Sequence, residues 1–141
     1  SSEADMSTVT KPTNPGSDPR VSAVFADIRA TRGGDFINNL WHCLACDPTL
    51  LENTWRDVKA VMATPSRLDP MTKQPIYTAE SIANNCSYCI QSHTIAARAL
   101  GMSEAQHAEF LTIVSLAGGM NHLLNGMQIP IDPEFNHDQQ T

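Results

Sequence analysis

The stretch "NNCSYCIQSHT", residues 84–94, places two cysteines and a histidine within eight positions. Three readings suit that set. Cys86 and Cys89 can be a redox couple with His93 as its proton carrier. The same residues can be three ligands of a zinc ion, with Cys43 or His122 as the fourth. They can also belong to an ordinary core. On one helix, residues three, four and seven apart share a face, so Cys86, Cys89 and His93 form a single stripe. Continued, the stripe meets Ala96, Ala97 and Leu100, which are plain core types. A core helix thus carries reactive groups in its first two turns.

Asn84-Asn85 closes the preceding helix, which puts the thiols at the amino end of the next one. Unpaired backbone N–H groups and the positive end of the helix dipole favour a sulfur anion there. Such settings, and Cys-x-x-Cys spacing itself, bring a thiol pKa from about 8.5 into a range of roughly 3.5 to 7.5. A thiolate attacks a peroxide oxygen, and a thiol three residues away condenses with the resulting sulfenic acid before further oxidation. His93 is placed to take the thiol proton and return one to the leaving alkoxide. Tyr88, between the cysteines, either donates a hydrogen bond to substrate or sulfur or lines the pocket.

The second cysteine pair, Cys43 and Cys46 in "WHCLAC", repeats the spacing. It reads as two buried small hydrophobes, with a second redox relay as the alternative. His42 reads as a surface or interface histidine, and His122 as a satisfied core or interface one.

The elements that must position these groups all read as helices. Val21, Val24, Phe25 and Ile28 recur at helical spacing after Asp18-Pro19, with Gly33-Gly34 as the stop. A second helix is predicted over 35–46. Asp47-Pro48 gives a cap and first-turn proline for a third. A fourth is predicted from about Thr72, with Pro75 in its first turn, and a fifth over 86–100 ending at Gly101. Ser103 with Gln106 forms a capping box for a sixth, which runs apolar as far as Gly118-Gly119. No run alternates as a strand would. The expected architecture is all-α, a single domain of about six helices over 20–128, with a flexible arm over 1–19 and a tail over 129–141.

Fifteen acidic and nine basic residues give a formal charge of −6, and the basic residues are scattered. That excludes the footprint expected of a nucleic-acid or anionic-membrane binder. The longest mostly apolar stretch, 110–120, falls well short of the roughly 20 residues a membrane span needs. The beginning of the chain has neither the basic segment nor the apolar block of a secretory signal, and a cytoplasmic protein is expected.

"CSYCIQSHTIAARALGMS" closely resembles the Cys-x-Tyr-Cys-x-x-x-His-x-x-x-Ala-Arg-x-x-Gly signature of the alkylhydroperoxidase D-like branch of the carboxymuconolactone decarboxylase superfamily. The resemblance extends through "ACDPTLL", "DPTLLENTW" and "LDPMTKQPIYTAESIANN", covering roughly residues 35–125. It implies an all-helical homo-oligomer, commonly a trimer or hexamer. It also implies reduction of small organic hydroperoxides through a Cys-x-x-Cys disulfide cycle that a thiol or dithiol partner resets, with no metal or organic cofactor. By the same resemblance Cys89 is the activated thiol, Cys86 its disulfide partner and His93 the relay histidine. Where the family relay has a glutamate, twelve residues before the first cysteine, this chain has Gln74, which cannot act as a base. Glu80 is the nearest carboxylate on that helix and the candidate to replace it. The alternatives are a lyase of the carboxymuconolactone decarboxylase type, which has no need of paired thiols, and a non-catalytic zinc-stabilised helical module.

Overall fold

The computed structural model describes residues 5–136. The first four residues of the expected arm and the last five of the expected tail lie outside the described residues. Six α-helices make up the described chain, and no strand occurs among the described residues. They fall into two compact units, one up to Ser66 and one from Arg67 onward.

In the first unit α1 spans Pro19–Arg32, α2 Asn39–Leu44 and α3 Pro48–Val58. Aspartate followed by proline starts both long helices: Asp18 accepts the backbone N–H of Arg20, and Asp47 those of Thr49 and Leu50. Proline in the next position gives up no hydrogen bond, since that N–H has no helical partner. Gly33, at φ 78°, ends α1 in the left-handed region that an unbranched backbone enters freely. A π-helical segment, Lys59–Ala63, succeeds α3. The apolar faces of the three helices meet in one cluster of Val21, Val24, Phe25, Ile28, Ile37, Trp41, Ala45, Leu51 and Trp55. Trp41 and Trp55 pack edge to face at 5.4 Å, and the indole N–H of Trp55 donates to Asp27 at 2.7 Å.

The second helix differs from the expectation. It starts at Asn39, not Asp35, and Phe36 lies outside it, 78% exposed. Apolar periodicity predicts one helix where an extended lead-in, with Asn38 at φ −61° and ψ 151°, delivers Ile37 to the core instead.

The second unit holds α4 (Pro70–Ala83), α5 (Ser87–Ala99) and α6 (Glu104–Met127). Asp69 caps α4 by accepting the N–H of Thr72, so the helix begins two residues earlier than expected and Pro75 sits inside it. The carbonyl that loses its partner belongs to Met71, still in the first two turns, which limits the disruption. Ser103 and Gln106 form the expected capping box at the start of α6. That helix then passes through Gly118 and Gly119 to Met127, where the sequence suggests a stop. Two glycines cost about 1 kcal/mol each relative to alanine, too little to end a helix continued by Leu123, Leu124 and Met127.

Candidate functional site

The site is built on a helical hairpin. Helix α4 ends in a Schellman turn: the N–H of Cys86 reaches back to Ser81 O at 2.9 Å and that of Asn85 to Ile82 O at 3.2 Å. Asn85 takes the left-handed conformation this turn demands, at φ 58°. The turn that stops α4 therefore sets the first residue of the reactive stretch, because Cys86 is at once its last hydrogen-bonded residue and the cap of α5. Cys89 and His93 come on the first and second turns of α5, one helical repeat apart.

Across the hairpin, α4 packs on α5 in the antiparallel sense. Gln74, near the start of α4, meets His93: its Oε1 lies 2.7 Å from the imidazole Nδ1. Tyr77, one turn later, stacks on the same imidazole with ring centres 3.8 Å apart and planes inclined at 26°. Ser81, buried near the end of α4, donates its hydroxyl to Tyr77 O at 2.9 Å and lies against the sulfur of Cys89. Gln74, Tyr77 and Ser81 thus form one stripe on α4, at spacings of three and four, facing the reactive stripe of α5. Their helical spacing is present in the sequence, but only the pairing of the two helices identifies the stripe as part of a site.

The sulfurs of Cys86 and Cys89 lie 2.7 Å apart. Two thiolates on one zinc, each about 2.3 Å from the ion in tetrahedral geometry, would stand roughly 3.8 Å apart. The observed approach is closer than that, and it is made by two free thiols. Among the described residues no three His, Cys, Asp or Glu side chains gather as ligands of an ion.

The close approach divides the two thiols electrostatically. The side-chain contact with Cys89 holds the Cys86 pKa below its ordinary value, and the backbone N–H groups of Cys89 and Tyr88 act in the same direction. Cys89 moves up, first through that shared contact with Cys86 and then through burial, with the Ser81 hydroxyl opposing in part. The lower of the two pKa values therefore lies on Cys86, the cysteine expected to be the resolving partner. Tyr77 is pushed up as well, mainly by burial and then by the neighbouring thiols, so its phenol stays protonated.

The other expected site residues lie further from this contact or meet it differently. Glu80 accepts from the side-chain amide of Asn84 at 2.8 Å, whereas the residue in contact with His93 is Gln74. Tyr88 is 44% exposed, and its backbone N–H is the part that serves Cys86. In the first unit Cys43 is half-buried and Cys46 exposed, which corrects the expectation that both are buried as small hydrophobes. His42 packs edge-on against Phe25 at 5.2 Å, and His122 is exposed on α6.

The profile of the Carboxymuconolactone decarboxylase family matches residues 49–132. A crystal structure of the alkylhydroperoxidase AhpD core from Rhodospirillum rubrum ATCC 11170 is 55% identical to this chain. It superposes with a TM-score of 0.88, over 92% of this chain and 97% of that one. No curated protein matches the sequence.

Proposed function

The chain belongs to the carboxymuconolactone decarboxylase family, in its alkylhydroperoxidase D-like branch, and on that premise we propose that it is a thiol peroxidase acting on small organic hydroperoxides. The observation that carries the reading is the 2.7 Å approach of the Cys86 and Cys89 sulfurs at the start of a helix that also bears His93. Cys89 attacks the terminal peroxide oxygen as its proton passes to His93, the O–O bond breaks, and the alkoxide leaves as an alcohol by taking that proton back. The attack leaves Cys89 as a sulfenic acid. The Cys86 thiolate then attacks the Cys89 sulfur, forming the disulfide and expelling hydroxide, which takes a proton from solvent and leaves as water. A dithiol reductant returns both thiols and is itself oxidised to a disulfide. The cycle calls for no metal or organic cofactor, and a reducing, cytoplasmic setting suits it.

A second assignment is favoured by one observation: the lower pKa lies on Cys86, which would make Cys86 the attacking sulfur. We assign the attack to Cys89 because it stands one turn from the proton acceptor, and a low-pKa Cys86 suits rapid disulfide closure.

Helix α6 supports a homo-oligomeric assembly, a trimer or hexamer by family resemblance. Ile113, Leu116, Met120, Leu123 and Met127 recur along it at alternating spacings of three and four, and all are exposed in the single chain.

The test is consumption of cumene hydroperoxide in a stoppered assay with a dithiol. Wild type should turn over, and Cys89→Ser should lose at least about a hundredfold of that activity. Cys86→Ser should trap a sulfenic acid on Cys89, detected by a sulfenic-acid-specific label. Equal activity in wild type and Cys89→Ser would overturn the reading. A sulfenic acid on Cys86 in Cys89→Ser, with none on Cys89 in the reciprocal variant, would exchange the two roles.

A further inference from the structure

The cysteines of the first unit, Cys43 and Cys46, have no part in the cycle assigned to Cys86 and Cys89. Cys43 lies in the last turn of α2, and Cys46 follows the Ala45 cap. Both are free thiols, Cys43 half-buried and Cys46 exposed. Among the described residues no set of three possible metal ligands includes them. The N–H of Cys46 donates to Cys43 O at 3.2 Å. That bond, from residue i+3 back to residue i, winds the chain as a 3-10 turn does and brings side chains three apart to one side. It also holds the two Cα atoms within about 7 Å. A disulfide spans roughly 4.4–6.8 Å between Cα atoms, so the pair can close with little backbone movement.

The two pairs differ in the N–H groups around them. At the start of α5 the first-turn amides have no helical partner, and those of Tyr88 and Cys89 reach the Cys86 sulfur. Next to Cys46 the amides are already engaged. Asp47 N–H donates to Leu44 O at 3.0 Å, and those of Thr49 and Leu50 donate to the Asp47 carboxylate at 3.1 and 3.2 Å. Pro48 has no N–H to offer. The ammonium of Lys11, within electrostatic reach of Cys43, is paired with Asp5 at 3.0 Å. Groups that stabilise a thiolate stabilise the reduced form of a dithiol and make its disulfide easier to reduce. We propose that Cys43 and Cys46 are a second redox-active dithiol whose disulfide is harder to reduce than that of Cys86 and Cys89, so that electrons pass from Cys43 and Cys46 to the reactive pair by thiol–disulfide exchange.

The exposed Cys46, as thiolate, attacks one sulfur of the Cys86–Cys89 disulfide. That S–S bond breaks, a mixed disulfide forms, and the other sulfur of the pair leaves as thiolate. The Cys43 thiolate then attacks the Cys46 sulfur, closing the Cys43–Cys46 disulfide and releasing the second sulfur of the reactive pair. Cys43 and Cys46 are oxidised and Cys86 and Cys89 reduced, by one electron pair. The two thiol protons pass through solvent in the same direction. An external dithiol resets the donor by attacking the exposed Cys46 sulfur, with Cys43 leaving.

The use of this dithiol as a reducing reserve rests on the thiol-peroxidase reading, while the order of the two potentials does not, and the experiment separates them. Wild type is equilibrated in glutathione buffers of graded [GSH]²/[GSSG], quenched with acid and alkylated, and peptide mass spectrometry reads each pair. The Cys43–Cys46 disulfide should survive to a ratio at least about tenfold higher than the Cys86–Cys89 disulfide, a separation of about 30 mV. Reduced wild type, freed of reductant, should consume about two equivalents of cumene hydroperoxide per chain and end with both disulfides. Cys43→Ser/Cys46→Ser should consume about one, and Cys86→Ser/Cys89→Ser none in the same time.

The reverse order of the two pairs, coincident midpoints, or failure of Cys43 and Cys46 to form a disulfide overturns the proposal. A single equivalent consumed by wild type overturns the electron transfer. If Cys43→Ser/Cys46→Ser does not fold, the wild-type titration decides. If wild type consumes no peroxide, the functional reading fails, and the glutathione titration still judges the second pair.

Discussion

Cys86 and Cys89 share one hydrogen-bonding contact that acts on them in opposite directions, lowering the first thiol pKa and raising the second. A lowered pKa means that thiolate persists below the pH at which an ordinary thiol would be protonated, and is lost only as pH falls through the shifted value. Iodoacetamide should therefore label Cys86 before Cys89 in the reduced protein. Its rate should hold up at pH values where a free thiol has slowed, and Cys89→Ala, which removes that contact, should return the midpoint toward that of a free thiol. Peptide mass spectrometry across a pH series checks both. At this scale the sequence picks out the candidate residues, because a spacing of three and four along one helix is fixed by covalent neighbours. It does not show which thiol has the lower pKa. That depends on a side-chain rotation that brings the sulfurs to 2.7 Å, and on N–H groups at a cap that stands one residue before the helix proper.

Between residue and molecule, the turn linking α4 to α5 controls whether the reactive stripe is presented at all. Asn85 holds φ 58°, a conformation that costs most L-residues about 1–2 kcal/mol. Asn85→Ala should destabilise the protein by about 1 kcal/mol, whereas Asn85→Gly should stay within a few tenths, both read from urea unfolding at constant m-value. The helix starts are the most legible features: Asp18-Pro19, Asp47-Pro48, and Ser103 with Gln106 are local hydrogen-bonding devices, and each forms as its residue types predict. Departures come where a local preference is overridden by its surroundings. Pro75 is carried inside α4, and Gly118-Gly119 inside α6. The facing stripe of Gln74, Tyr77 and Ser81 is hidden for a related reason: its partners lie on another helix, and sequence spacing does not reveal them.

For the whole molecule, the contrast between the two units is informative. Nine of the buried apolar residues form the cluster of α1, α2 and α3, while in the unit that starts at Arg67 the only buried apolar residue among those described is Ala97. The hairpin of α4 and α5 therefore lacks a core of its own in the single chain, and α6 shows a row of apolar side chains with no buried member. The homo-oligomer proposed on α6 predicts that replacing Leu116 and Leu123 together by glutamate yields monomers, as read by sedimentation or light scattering, and a wild type that is already monomeric would contradict that proposal. The row on α6 has a thermodynamic consequence. Where assembly supplies the burial that folding needs, melting temperature rises with protein concentration by mass action. Dilution would then act on this protein as a denaturant does, and the folded fraction would depend on how much protein is made more steeply than in simple proportion.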